Sequence, residues 1–157
     1  MASVALRSVT VGFTMPDFMT NLQRSKAMSA VRGTETNIEK ILRSHLHRKG
    51  FRFRKNVKEL PGRPDIVLPK HRCVIFVNGC FWHHHEACKR SKLPATRREF
   101  WSKKIEDNVT RDQRHIKELA DDGWQVLTVW ECELTDPKTQ DKVIDKIIAK
   151  LENSRRQ

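Results

Sequence analysis

The segment from residue 73 to residue 88 constrains this chain most. Cys73-Val74-Ile75-Phe76-Val77 is continuously apolar, and it leads through Asn78 and Gly79 into Cys80-Phe81-Trp82-His83-His84-His85-Glu86-Ala87-Cys88. An unbroken apolar run of this length suits a strand buried on both faces. The loop behind it concentrates thiols and imidazoles, which zinc binds in a closed tetrahedron. Cys80-x4-His85-x2-Cys88 offers three ligands from one loop. Cys132 lies just past a second apolar run, Trp124–Trp130, and can supply the fourth ligand if the two runs are neighbouring strands. Spacing favours His85 as the imidazole ligand, with His84 the rival. The competing reading is a histidine-rich surface loop with incidental thiols. Cys73, inside the apolar run, is expected to be a buried free thiol. Metal at such a site is coupled to folding by about 10–16 kcal/mol.

The 157 residues fit one domain. Charged residues make up 32% of the chain, against roughly 25% for an ordinary soluble domain. The excess is basic, 31 Lys and Arg against 19 Asp and Glu, a net charge of +12. That is the electrostatic footprint of a nucleic-acid binder, although a merely basic surface has the same composition. No apolar run approaches the ~18 residues that span a bilayer. Met1–Phe13 has no continuous apolar core of a secretory signal. Four cysteines without an export signal point to reduced thiols or metal. Residues 1–22 read as an unpatterned tail or a start-site extension, with Met15 and Met19 as alternative starts. Residues 23–152 read as a single domain and 153–157 as a basic tail.

Residues 23–31 are compatible with a short basic helix carrying Met28. Thr36 and Glu39 have capping-box spacing, and Ile38, Ile41, Leu42 and Leu46 then share one helical face up to Gly50. Phe51-Arg52-Phe53-Arg54 alternates and predicts a strand. Leu60–Pro64 predicts a turn, and Asp65–Leu68 a short strand closed by Pro69. A long helix is expected from about Arg98 to Asp122, with Phe100, Ile105, Val109, Ile116 and Leu119 inward. Val143, Ile144, Ile147, Ile148 and Leu151 mark a last amphipathic helix. The order predicts an α/β fold, a mixed sheet flanked by helices.

Asp65 opens a strand straight after a turn, where a carboxylate can hold Mg²⁺ against a phosphate. Taken alone, a solvated turn aspartate is the better explanation of it. Glu39 has an ordinary role as the capping-box acid, and His83 and Asp112 as surface residues.

The combination is more specific. Pro61-Gly62-Arg63-Pro64-Asp65 is followed by Cys73–His83, then by Pro94-Ala95-Thr96-Arg97 with Glu99-Phe100-Trp101. Asn108-Val109 with Arg111-Asp112 and Val129-Trp130-Glu131-Cys132 complete the series. Together these motifs closely resemble the very-short-patch repair endonucleases of bacteria, from about Arg24 to Leu134. The resemblance implies a restriction-endonuclease-like fold with a structural zinc. It implies Mg²⁺-dependent nicking of duplex DNA, 5′ to the T of a T:G mismatch left by deaminated 5-methylcytosine. It also implies a monomer in the bacterial cytoplasm, with mismatch-repair proteins as partners. Asp65 then matches the Mg²⁺-binding aspartate, assisted by the carbonyl of Val77. His83 matches the catalytic histidine and Asp112 its orienting carboxylate. Glu39 matches a glutamate that holds water on the metal, and Cys80, His85, Cys88 and Cys132 match the zinc ligands. Phe81, Trp82 and Trp101 resemble an aromatic wedge that enters the base stack, and Met28 a residue inserted from the minor groove.

Two departures stand out. The family pattern has one residue between the histidine ligand and the second loop cysteine, where Glu86 and Ala87 make two here. Asn78 stands where a histidine is common, so no catalytic assist is expected from it. The alternatives are a restriction-type endonuclease or nickase of the same fold with another target, and a non-catalytic zinc module that binds DNA.

Overall fold

A computed structural model describes residues 35–86 and 88–154. Met28 and the expected helix over 23–31 lie outside the described residues. The first described helix, α1 (Asn37–Arg48), begins as its spacing predicts. The Thr36 hydroxyl accepts from the Glu39 amide, while the Glu39 carboxylate accepts from the Thr36 amide. Gly50 follows the helix at φ +85°, a conformation that costs glycine least.

Four strands form one sheet in the order β1 (Arg54–Lys55), β2 (Ile66–Leu68), β3 (Cys73–Asn78) and β4 (Gln125–Trp130). β1 and β2 are antiparallel, as are β2 and β3, whereas β3 and β4 are parallel. The connection between the parallel pair runs through the Cys/His loop and α2 (Arg98–Asp121). Two further helices, α3 (Glu131–Thr135) and α4 (Pro137–Asn153), close the described chain. The mixed sheet flanked by helices is thus as expected, and so is the adjacency of the two apolar runs.

Burial explains the layers. Ile66, Leu68, Cys73 and Ile75 point to one face and pack with Leu42 and Leu46 of α1 and Ile144, Ile147 and Leu151 of α4. Val67 and Val74 point to the other and pack with Leu119 of α2. Successive residues of a strand face opposite sides, so a strand covered on both must be apolar throughout. Cys73 is fully buried, as expected, and burial pushes its thiol up to about 12.

Two local expectations need correction. The alternation in Phe51–Arg54 appears in burial, with Phe51 buried and Arg52 exposed, but pairing is confined to β1. Arg54 pairs with Val67, so further pairing would run past Leu68 into Pro69. Pro69 lacks an amide hydrogen and starts a 3₁₀ turn, which ends the ladder. Phe100, expected inward, is 48% exposed. The inward stripe of α2 runs through Ile105 and Leu119; four residues before Ile105 is Trp101, and Phe100 falls about 140° away from that stripe.

Candidate active site and metal centre

The turn before β2, the end of β3, the Cys/His loop and the middle of α2 enclose a cleft of about 460 Å³. Asp65, Asn78, His83 and Asp112 line it, together with Arg63 and Arg111. Asp65 is fixed from across the sheet: its Oδ2 accepts from the Val77 amide at 2.7 Å. Burial, opposed by that hydrogen bond, raises its carboxyl from 3.8 to about 6. Glu39 nearby adds to the rise, while Arg43 and His83 counter it. His83 Nδ1 meets Asp112 Oδ2, bringing together residues 29 positions apart. Burial works against the ionised Asp112, but His83 and Arg111 hold its carboxyl below the usual range. A carboxylate on Nδ1 fixes which imidazole nitrogen is left for the cleft.

Glu39 sits behind this cleft, 2% exposed. Its Oε1 accepts from the Thr36 amide and hydroxyl, and its Oε2 from the Glu35 amide and from Arg43 Nη2 at 2.7 Å. All four of its acceptor positions are therefore in use. To hold a water on the metal, it would have to release one of these donors. The same Arg43 Nη2 donates to the Asp65 carbonyl at 3.2 Å, and Nη1 donates to Glu35. Arg43 thus joins α1 to the residue that opens β2. Sequence reading passed over it, although a Glu39–Arg43 pair four residues apart on a helix is a recognisable signal.

Cys80, His85, Cys88 and Cys132 converge, with one ligand atom of each within 4.8 Å of all the others. His85 Nδ1 lies 3.6 Å from Cys80 Sγ and 3.3 Å from Cys132 Sγ. Zinc bonds of about 2.0–2.3 Å in a tetrahedron would set such edges near 3.5–3.8 Å. The donor set and its spacing fit a structural zinc. His84 is exposed and outside the cluster, so His85 is the imidazole brought to the three thiols. The His85 ring stacks flat on Trp130, with centroids 4.2 Å apart. Two extra elements build the centre: the parallel register places Asn78 opposite Trp130, and α3 starts at once and presents Cys132. Burial pushes Cys80 up to about 12 and raises Cys132, whereas the Arg90 amide lowers Cys88.

Residues 16–90 match the family model described as DNA mismatch endonuclease Vsr. The chain is 48% identical over 134 residues to the DNA mismatch endonuclease Vsr of Escherichia coli K12, covering 85% of this chain and 83% of that protein. The chain belongs to the Vsr DNA mismatch endonuclease family. It is also 50% identical over 122 residues to the type II nicking enzyme V.XorIIP of Xanthomonas oryzae pv. oryzae, covering 78% of this chain and 89% of the relative. A type II nicking enzyme of Neisseria meningitidis serogroup A, V.NmeAIP, is 36% identical over 140 residues, covering 89% and 99%. This Vsr-family chain is therefore a DNA endonuclease of the nicking kind.

Phe81, Trp82 and Trp101 form one cluster. Phe81 meets Trp82 and Trp101 edge-on, with centroids 5.1 and 5.3 Å away, and the two tryptophans are 6.0 Å apart. All three are half-buried, so each retains surface for a partner. Phe100 extends the cluster by packing on Trp101, with the Arg97 guanidinium 4.6 Å from its ring. The Asn108 side chain donates to the Trp82 carbonyl at 3.1 Å, which ties the aromatic turn to α2 next to His83. Among the described residues no helix is long and apolar enough to cross a membrane.

Proposed function

We propose that this protein nicks duplex DNA 5′ to the T of a T:G mismatch by Mg²⁺-dependent hydrolysis, and so initiates very-short-patch repair. The observation that carries the reading is the contiguity of hydrolytic and aromatic groups. Phe81 and Trp82 directly precede His83, whose ring faces the Asp65 cleft and is held by Asp112. Identity to the mismatch endonuclease of E. coli supports the same target.

Asp65 fits a divalent cation. One carboxylate oxygen is fixed by the Val77 amide, and burial leaves the group short of solvation, so an added cation relieves it. The N–H and C=O of one strand residue leave along the same edge, so the Val77 carbonyl faces the Asp65 side as well. Asp65 and that carbonyl would therefore hold Mg²⁺. When bound, Mg²⁺ supplies charge neutralisation at the phosphate and an activated water. His83 moves the proton through the nitrogen that Asp112 leaves unpaired. Glu39 acts from behind, through its charge and through Arg43, and supports water at the site only by giving up a donor.

For recognition, the aromatic cluster stands ready to enter the stack. Unstacking takes about a few kcal/mol per step, and stacking on the bases returns about 1–3 kcal/mol each. A mismatched step opens more readily, so the wedge favours the lesion. The +12 charge attracts any duplex and does not discriminate. A second reading is favoured by the 50% identity to a type II nicking enzyme: the same chemistry at a mismatch in another sequence context. Nicking of T:G and T:A duplexes, in CT(A/T)GG and in unrelated contexts, with Mg²⁺ or EDTA, tests both. Equal cleavage of T:G and T:A would overturn the proposal; T:G cleavage confined to another context would favour the second reading.

A further inference from the structure

The cleft holds a second imidazole that the chemistry above does not use. His115 follows Asp112 by three residues on α2, so both lie on one face of the helix, and both line the cleft with Asp65 and His83. His83 is held by Asp112; among the described residues nothing holds His115 in this way. The two carboxylates of the cleft are already engaged, Asp65 by the Val77 amide and Asp112 by His83. Among the described residues His115 is thus a donor without an acceptor, half-buried in a cleft that must admit an anion.

The turn that delivers Asp65 is laid against the same ring. A Cβ at Gly62 would lie 2.9 Å from His115 Nδ1 and 3.0 and 3.1 Å from its Cβ and Cγ. Gly62 also adopts φ +70°, so two independent features keep a side chain away from it. The atoms crowded by Gly62 are on one edge of the ring; Nε2 is on the other.

We propose that His115 is a phosphate-contacting residue of the nicking site: its Nε2–H donates to a non-bridging oxygen of the scissile phosphodiester. Arg63 and Arg111 flank the same cleft and supply charge, but Asp112 takes part of the Arg111 guanidinium. The imidazole provides a directed N–H close to the turn that positions Asp65. The proposal rests on the nicking chemistry above, not on the mismatch as target.

Single-turnover nicking is measured for wild type, His115→Ala and His115→Gln, on whichever duplex wild type cleaves best, with Rp and Sp phosphorothioates at the scissile position. His115→Ala should nick about 10- to 100-fold more slowly, the range for a lost hydrogen bond to a charged group. Duplex affinity in Ca²⁺ should change less than threefold. Gln, which keeps an N–H donor, should recover part of the rate. One diastereomer should be cleaved poorly by wild type, and this discrimination should shrink in His115→Ala. A purely structural role would not change the preference between diastereomers. Independently of turnover, titrating inorganic phosphate should move the His115 ring resonances in ¹H–¹⁵N spectra. Unchanged stereoselectivity in His115→Ala, or a ring unmoved by phosphate, overturns the proposal. Loss of T:G preference in wild type would overturn the target reading and leave His115 untouched.

Discussion

Asp65 and Val77 are joined across the β2–β3 boundary by a 2.7 Å hydrogen bond from the Val77 amide to the Asp65 carboxylate. The bond replaces a ladder contact where β2 has not yet begun, and it aims the carboxylate along the end of β3. A side chain fixed in this way and raised to about 6 by burial leads to a stability prediction as well as a catalytic one.

A carboxyl whose value rises on folding, here from 3.8 to about 6, contributes stability that is complete below the unfolded value and lost as pH rises through the folded one. Without divalent ion, the ionised Asp65 is therefore a destabilising charge above about pH 6. Asp65→Asn keeps an acceptor for Val77 and should be more stable than wild type at pH 8, by on the order of 1–3 kcal/mol. The gain should vanish near pH 4. Urea unfolding at the two pH values in EDTA checks this, and an equally stable variant at pH 8 contradicts it. The same variant should lose nicking by about a thousandfold or more while still binding duplex DNA. Wild-type nicking should fall as pH drops below about 6.

Arg43 joins Glu39 to the Asp65 carbonyl, and both charged side chains are nearly excluded from water. Arg43→Ala leaves a buried carboxylate without its cation, which typically costs about 3–5 kcal/mol. Adding Glu39→Gln should return part of that loss, because the residual group is then neutral. Thermal or urea unfolding of the two single variants and the double variant measures the coupling; strict additivity would argue against it.

Freshly purified protein should carry one zinc per chain, by elemental analysis. Cys132→Ser should lower both zinc content and melting temperature, because it opens a four-ligand site that spans the loop and α3. Cys73→Ser should leave zinc content unchanged, since that thiol is in the core and outside the cluster. His84→Ala should also retain zinc, whereas His85→Ala should not. Full zinc content in His85→Ala would refute the ligand assignment.

Trp82→Ala and Trp101→Ala should reduce the preference for T:G over T:A more than they reduce low-salt affinity. Substitution of exposed basic residues away from the aromatic cluster should weaken binding to both duplexes about equally and flatten the salt dependence. The comparison needs binding and nicking of both duplexes across a salt series. If both tryptophan variants retain the full preference, the cluster is packing and not a wedge.

Local features were legible because they rest on short-range stereochemistry. The Thr36–Glu39 cap, the inward faces of α1 and α4, and the doubly buried run at Cys73–Ile75 follow from the periods of helix and strand. The convergence of Cys80, His85, Cys88 and Cys132 was readable too, because three share one loop and the fourth needed only that two apolar strands be neighbours. Phe100 misled because it is apolar but off the stripe by one position. β1 is shorter than its alternation suggests because its length depends on Pro69, which ends the partner strand, and not on its own pattern.

Tertiary structure decided the rest. The register of β3 against β4 brings Trp130 under His85, and α2 brings Asp112 to His83 and His115 to Gly62. Arg43 reaches a carbonyl 22 residues away. Chain spacing carries no record of such pairings, because a side chain is directed by its own helix or strand but meets a partner only where whole elements pack. The sequence by itself therefore determined which groups were present, on which local faces, and with what charge. The packing of α1 and α2 on opposite faces of one mixed sheet decided which of those groups became a site.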